Sequence, residues 1–220
     1  MKIENRKPHW ENVYTTKGEN EVSWFQENPS PSLELITEVG AKPCSTIIDI
    51  GGGASRLVDS LVEKGFRTVT VLDLSEAALA AAKTRLETRL KTRLGERAAD
   101  VRWLVADATV WEPPQTYDIW HDRAAFHFLT EEADRVAYVA RLERGLKVGG
   151  YAIIATFALD GPERCSGLPV MRYDAASLGQ TLGRSFQLVR NQRHQHTTPW
   201  GSQQVFQFSV FRLLGANGAA

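Results

Sequence analysis

Three aspartates stand where three apolar runs end. Ile47-Ile48-Asp49-Ile50 runs straight into Gly51-Gly52-Gly53, Val69–Leu72 closes on Asp73, and Val101–Ala106 closes on Asp107. Each run has the length of a buried strand, and the glycines are followed by the start of a helical pattern. Glycine lets the chain turn at positive φ and lets a ligand approach where a Cβ would clash. An acid at the tip of the second strand of such a unit accepts hydrogen bonds from ribose hydroxyls. Ligands of open α/β sheets lie beyond the carboxyl ends of the strands, where all three acids fall. The chemistry implied is the holding of an adenosine-containing cofactor.

Two cofactors compete for this arrangement. A dinucleotide calls for G-x-G-x-x-G, so that a helix N-terminus can approach a pyrophosphate. Here Arg56 occupies the place of the third glycine. S-adenosylmethionine has no phosphate and carries an amine, a carboxylate and a sulfonium, and its cationic amine favours an acid such as Asp49. The order acid-x-Gly-x-Gly resembles motif I of the class I S-adenosylmethionine-dependent methyltransferases. That resemblance implies cofactor contacts at Asp49, Gly51, Gly53, Asp73 and Leu74. It also implies an adenine contact at Asp107, with the Ala108 backbone beside it.

The elements around these residues follow from the rest of the pattern. The chain has 220 residues, 43% of them hydrophobic, enough for one α/β domain. Lys+Arg and Asp+Glu are 26 each, so the basic footprint of a nucleic-acid or membrane-surface binder is missing. Cys44 and Cys165 cannot make a disulfide framework and suggest a reducing compartment. The first residues carry no apolar secretory segment, and no run reaches the ~20 apolar residues of a membrane span. A cytoplasmic protein is expected, and a monomer, since no dimer seam is apparent.

Residues 1–40 read as an N-terminal lid and leading helix, 41–214 as the main domain, and 215–220 as a frayed tail. Trp10, Tyr14, Trp24 and Phe25 stud a poorly periodic start that includes a loop-like stretch at 15–20. These aromatics suit a lid over an apolar or cationic ligand. Helices are expected at about 31–39, 55–64, from Ser75 onward with Leu79, Leu86, Leu90 and Leu94 on one side, from Thr130 through Val136, Val139, Leu142 and Leu146, and at 175–182. Strands four and five are expected at Tyr117–Trp120 and Tyr151–Phe157, and an antiparallel pair at about Phe186–Arg193 and Val205–Leu213. The fold class is therefore α/β, a Rossmann-like seven-stranded sheet, mostly parallel, with an antiparallel C-terminal pair.

The resemblance extends one level down. Trp10-Glu11-Asn12-Val13-Tyr14 and Trp24-Phe25-Gln26 are similar to the N-terminal lids of two groups. One is the thiopurine S-methyltransferase-like group, and the other is the lysine methyltransferases acting on elongation factor 1A and citrate synthase. Trp120-His121-Asp122-Arg123 is similar to the segment after strand four in the former, although His121 is an insertion in that pattern. These likenesses imply cofactor contacts at Trp10, Tyr14 and Trp24 and a site role for Arg123. Arg123 can stabilise a thiolate, or pair structurally with Asp122. His127 is a candidate base, or a packed histidine among Phe126, Phe128 and Leu129. Cys165, Tyr173 and His196 are candidate substrate contacts, and Phe126, Phe128, Pro169, Met171 and Trp200 a candidate apolar acceptor wall. His194-Gln195-His196 has metal-like spacing but no third ligand, so no metal is expected. The implied reaction is methyl transfer to a small molecule, a thiol or selenol slightly ahead of an amine or hydroxyl. A protein-lysine methyltransferase is the alternative, followed by a non-catalytic cofactor-binding module and, more distantly, an NAD-dependent oxidoreductase.

Overall fold

A computed structural model describes residues 6–93 and 101–215. In chain order the strands are β1 (Thr46–Ile50), β2 (Thr68–Asp73), β3 (Val101–Val105), β4 (Tyr117–Arg123), β5 (Leu146–Phe157), β6 (Arg164–Cys165), β7 (Leu168–Pro169), β8 (Phe186–Thr197) and β9 (Gln203–Leu213). The helices are α1 (Arg6–Thr16), α2 (Ser30–Glu38), α3 (Leu57–Glu63), α4 (Glu76–Arg93), α5 (Glu132–Gly145) and α6 (Ala175–Leu182). Seven strands form one sheet in the order β3-β2-β1-β4-β5-β9-β8. The first five run parallel, and β9 lies antiparallel between β5 and β8.

Period-two alternation along each strand sorts the side chains into two layers. Ile47, Val69, Val71, Ile119 and Ile153 face the layer of α2, α3 and α4, against Leu35, Ile36, Leu61 and Leu79. Ile48, Ile50, Trp120 and Ile154 face the other layer, against Tyr138 and Leu142 of α5 and Leu178 of α6. The strand order reverses between β1 and β4, and their carboxyl ends open the crevice where such sheets bind ligands.

Several boundaries differ from the sequence expectations. Residues 6–16 are helical, although the stretch lacks apolar periodicity; its aromatics meet other parts of the chain rather than one core face. Strand β4 runs on through His121, Asp122 and Arg123, because each finds a partner on β5 or β1. Glu131, not Thr130, is the N-cap of α5, and Val136 is 62% exposed. Leu146 begins β5 rather than ending α5. A register shift then absorbs Gly149, at φ +82°, before the ladder resumes at Tyr151. Residues 158–173 contain the β6–β7 hairpin, which turns at Ser166 and Gly167, both at positive φ. Strand β8 extends through His194 and His196. The tail from 216, Leu94 and the side chain of Leu90 lie outside the described residues. No helix among the described residues is long and apolar enough to cross a membrane.

Candidate cofactor cavity and the family it defines

The turn after β1 is built to lie flat against its surroundings. Gly51 and Gly53 sit at φ +64° and +49°. The Gly51 and Gly52 N–H groups donate to the Leu72 carbonyl at 2.8 and 3.2 Å, which folds the turn over the end of β2. A Cβ on Gly52 would lie 2.5 Å from Val71 Cγ1 and 2.7 Å from Asp49 Oδ2. The Asp49 carboxylate is therefore tucked beneath the turn. His121 Nδ1 donates to its Oδ1 at 2.7 Å, and His121 Nε2 meets Ser32 Oγ of α2 at 2.8 Å. Asp49 and His121 are register partners on adjacent strands, both 3% exposed, and neither is on the cavity wall.

Beyond the strand ends lies a cavity of about 770 Å³, part of it open to solvent. Trp10, Tyr14, Trp24, Gly51, Asp73, Leu74, Asp107, Ala108, Arg123 and Cys165 all line it. Gly53 closes one side: a Cβ there would meet the Tyr14 hydroxyl at 2.5 Å and Asp73 Oδ2 at 3.2 Å. Asp73 Oδ1 accepts the Ser75 N–H at 2.8 Å. Burial, with the nearby Asp49 charge, pushes the Asp73 carboxyl up to about 7 against the pull of main-chain N–H donors. Asp107 Oδ1 accepts from the Thr109 N–H and hydroxyl at 2.8 and 2.7 Å, which fixes the loop after β3. The Tyr14 hydroxyl accepts the Trp24 indole N–H at 3.2 Å, and burial beside Asp73 holds the phenol well above its ordinary range. Trp10 stands edge-on to both Trp24 and Phe128.

Arg123 is the unusual member. Its Nη1 donates to the Trp24 carbonyl at 2.9 Å, and its guanidinium lies 4.9 Å from the Phe206 ring centroid. Burial pulls its pKa down to about 10, so it stays charged at neutral pH. Nε and Nη2, which form the side-on fork of a guanidinium, are buried with no partner among the described residues. The Asp122–Arg123 ion pair is absent because the two residues point to opposite faces of β4. Asp122 instead accepts the Ala125 and Phe126 N–H groups and, at 2.6 Å, the Tyr138 hydroxyl. A buried cation without an anion is costly, and an empty fork suits a carboxylate.

The remaining candidates fall elsewhere. His127 is fully buried off the cavity wall, and burial pushes its pKa down to about 3, which makes it a poor proton acceptor in water-like terms. Tyr173 is buried behind Phe126. His196 Nε2 donates to the Ser23 carbonyl at 2.7 Å, tying β8 to the N-terminal segment. Cys165 does line the cavity, and burial pushes its thiol up to about 11, so it remains protonated. Of the expected acceptor wall, Phe128 lines the cavity and Pro169 a neighbouring recess, whereas Phe126 and Met171 belong to the second core layer and Trp200 is 59% exposed. Among the described residues no three His, Cys, Asp or Glu side chains converge as metal ligands. Arg6, Leu129 and Tyr138 line the cavity without having been anticipated; nothing in the spacing of a charged N-terminal stretch points to Arg6.

A family profile described as a methyltransferase domain matches residues 47–150, the span from the glycine turn to the start of β5. Those residues match a methyltransferase domain, and the sheet that carries them has the Rossmann-like methyltransferase fold. The chain is 25% identical over 154 residues to an eEF1A lysine and N-terminal methyltransferase of Danio rerio. The match covers 68% of the chain and 21% of that relative, so the chain spans about a fifth of the length of the curated relatives it matches first. The methyltransferase fold is shared with a protein solved in work on the conversion of a disulfide bond into a thioacetal group during echinomycin biosynthesis. There the TM-score is 0.72 at 20% identity, covering 94% of this chain and 93% of the other. It is shared also with the N-methyltransferase NodS of Bradyrhizobium japonicum in complex with S-adenosyl-L-homocysteine. That TM-score is 0.68 at 16% identity, covering 92% and 97%.

Proposed function

We propose that the chain transfers the methyl group of S-adenosylmethionine to a small-molecule acceptor. The observation carrying this reading is the empty Arg123 fork, a seat for the methionine carboxylate on the wall that also holds Asp73 and Asp107. Asp73 would accept from the ribose hydroxyls, and Asp107 from the adenine amine with the Ala108 backbone beside it. Trp10, Tyr14 and Trp24 would cover the ligand as a lid formed by the N-terminal segment. Asp49 acts at one remove, holding the glycine turn through His121. The cofactor supplies an electrophilic methyl on a good leaving group. The chain's own task is to exclude water and align the acceptor.

Apolar walls at Phe128, Leu129 and Ala124 favour an acceptor that needs little proton removal, such as a thiol or selenol. The echinomycin relative's sulfur chemistry is in keeping with this. A lysine acceptor, suggested by the eEF1A relative, would be served by an acidic channel. The lining acids, Asp73 and Asp107, are instead taken up by the cofactor on this reading. The test is a product screen: purified protein with S-adenosylmethionine and separate pools of thiols, selenols, amines and lysine peptides, with S-adenosyl-L-homocysteine release measured. Turnover of a thiol or selenol pool is expected; turnover of lysine peptides alone would reverse the assignment.

Burial of Asp73 adds a pH signature. The ribose selects the ionised carboxylate, and this acid's value in the ligand-free protein is raised to about 7. Affinity should therefore fall as the pH drops through 7 and level off above it. Titration calorimetry at pH 6 and pH 8 is expected to differ by about tenfold, tighter at pH 8. Asp73→Asn should bind more weakly and lose the dependence.

A further inference from the structure

The N-terminal segment presents Tyr14 and Trp24 to the cavity, and midway between them in sequence stands Glu19. Its carboxylate bridges two arginines. Oε1 accepts from Arg56 Nη2, and Oε2 accepts from Arg85 Nη1 of α4 at 2.8 Å. Arg56 occupies the place of the third glycine in the dinucleotide fingerprint, yet its side chain turns to the N-terminal segment, with its guanidinium 5.2 Å from the Phe25 ring centroid. Arg85 holds the glycine turn from the other side. It donates to the Ala54 and Ser55 carbonyls at 2.9 and 2.8 Å and pairs with Asp59 at 2.7 Å. The side chains of Glu19, Arg56 and Arg85 are 30, 23 and 16% exposed, so solvent screens the bridge only in part. None of the three lines the cavity. Close behind Glu19, the Ser23 and Trp24 carbonyls accept from His196 and Arg123.

Resting on the cofactor reading above, we propose that Glu19, Arg56 and Arg85 form a clasp that gates cofactor exchange, with Glu19 a positioning residue that acts through Tyr14 and Trp24. With the clasp shut, the two aromatics stand against the cofactor. With it released, residues 18–25 lift and the cofactor enters or leaves. Because the clasp lies off the cavity wall, it stabilises the shut form equally whether the cavity is empty or filled. Weakening it therefore raises the open fraction of both states by one factor. Association and release both accelerate by that factor, and Kd, their ratio, holds. A residue that merely shaped the site would shift Kd instead. One that merely supported the fold would lower the melting temperature without the paired change in rates. Salt screens the bridge and so acts in the direction of the substitutions.

The test is stopped-flow tryptophan fluorescence of the whole chain with S-adenosyl-L-homocysteine as ligand. Glu19→Gln and Arg56→Leu are each expected to raise kon and koff together by about fivefold, the scale of a partly shielded ion pair, and to leave Kd within about twofold of wild type. The double variant should fall well short of the product of the two, since either change releases the same clasp. In the wild type, raising salt from about 0.05 to about 0.5 M should accelerate both steps by about threefold, and in the double variant by much less. The wild-type salt series needs no substitution, so it decides even if a variant fails to fold. The proposal is overturned if wild-type rates are flat with salt, if folded variants keep wild-type rates, or if koff rises alone and Kd weakens with it. Failure of S-adenosyl-L-homocysteine to bind the wild type would strike the cofactor reading, and this proposal with it. Binding with unchanged rates strikes the clasp alone.

Discussion

An Arg123→Leu variant is expected to lose more than about a hundredfold in S-adenosylmethionine affinity, because two charge-assisted hydrogen bonds in a buried fork are worth about 3 kcal/mol together. Its ligand-free melting temperature should stay within a few degrees of wild type. The reason is that the guanidinium is a liability in the empty cavity: it is buried, charged and satisfied only at Nη1. Removing it relieves desolvation while giving up one bond to Trp24 and the contact with Phe206. The clearest readout is thermal: S-adenosylmethionine should raise the melting temperature of the wild type and not of the variant. Arg123→Lys keeps the charge but not the fork and should fall between the two. Full binding by Arg123→Leu would place the methionine carboxylate elsewhere.

The second large effect is on stability. His121→Leu should destabilise the fold by about 3–5 kcal/mol, since it leaves the Asp49 carboxylate buried without its side-chain donor. For a chain of this size that is a fall of about 10 °C in melting temperature. Asp49→Asn removes the charge and retains polar groups toward His121, and should cost less. Denaturant unfolding of the two variants separates these outcomes. Equal and small losses would mean that Asp49 is hydrated through the turn rather than held by His121.

These two residues also show what sequence patterns reveal and what they hide. The strand-end acids, the glycine turn and the sheet were legible because apolar runs, their lengths and their terminators are local. The seven-stranded order with its antiparallel end pair followed from that alternation. Side-chain direction was less accessible. Asp49 has the position of a ligand acid, yet its partner lies 72 residues away, and only the register of β1 against β4 turns the two toward each other beneath Gly52. Reading His121-Asp122-Arg123 as a segment following the strand concealed that alternate residues serve opposite faces. Arg123 thus reaches the cavity, while Asp122 caps the turn at Phe126. His127 and Tyr173 have reactive side chains, but burial depth decided their place, and no spacing encodes depth. Arg6 was invisible because its significance comes from Asp134, 128 positions later.

The order of synthesis gives the N-terminal segment a further meaning. Trp24 waits for Arg123, 99 residues on, and Ser23 for His196, 173 residues on. Residues 6–25 thus leave the ribosome before the elements they pack on, and have nowhere to rest until β4, α5 and the β8–β9 hairpin exist. During that interval Trp10, Tyr14 and Trp24 are exposed aromatics on a tethered strand, the kind of surface that chaperones hold. Such long-range closures slow the final step of folding relative to the sheet's local pairings. The cavity beyond the strand ends is then the last part of the domain to mature, so a nascent chain interrupted before β8 would own a sheet without a complete cavity.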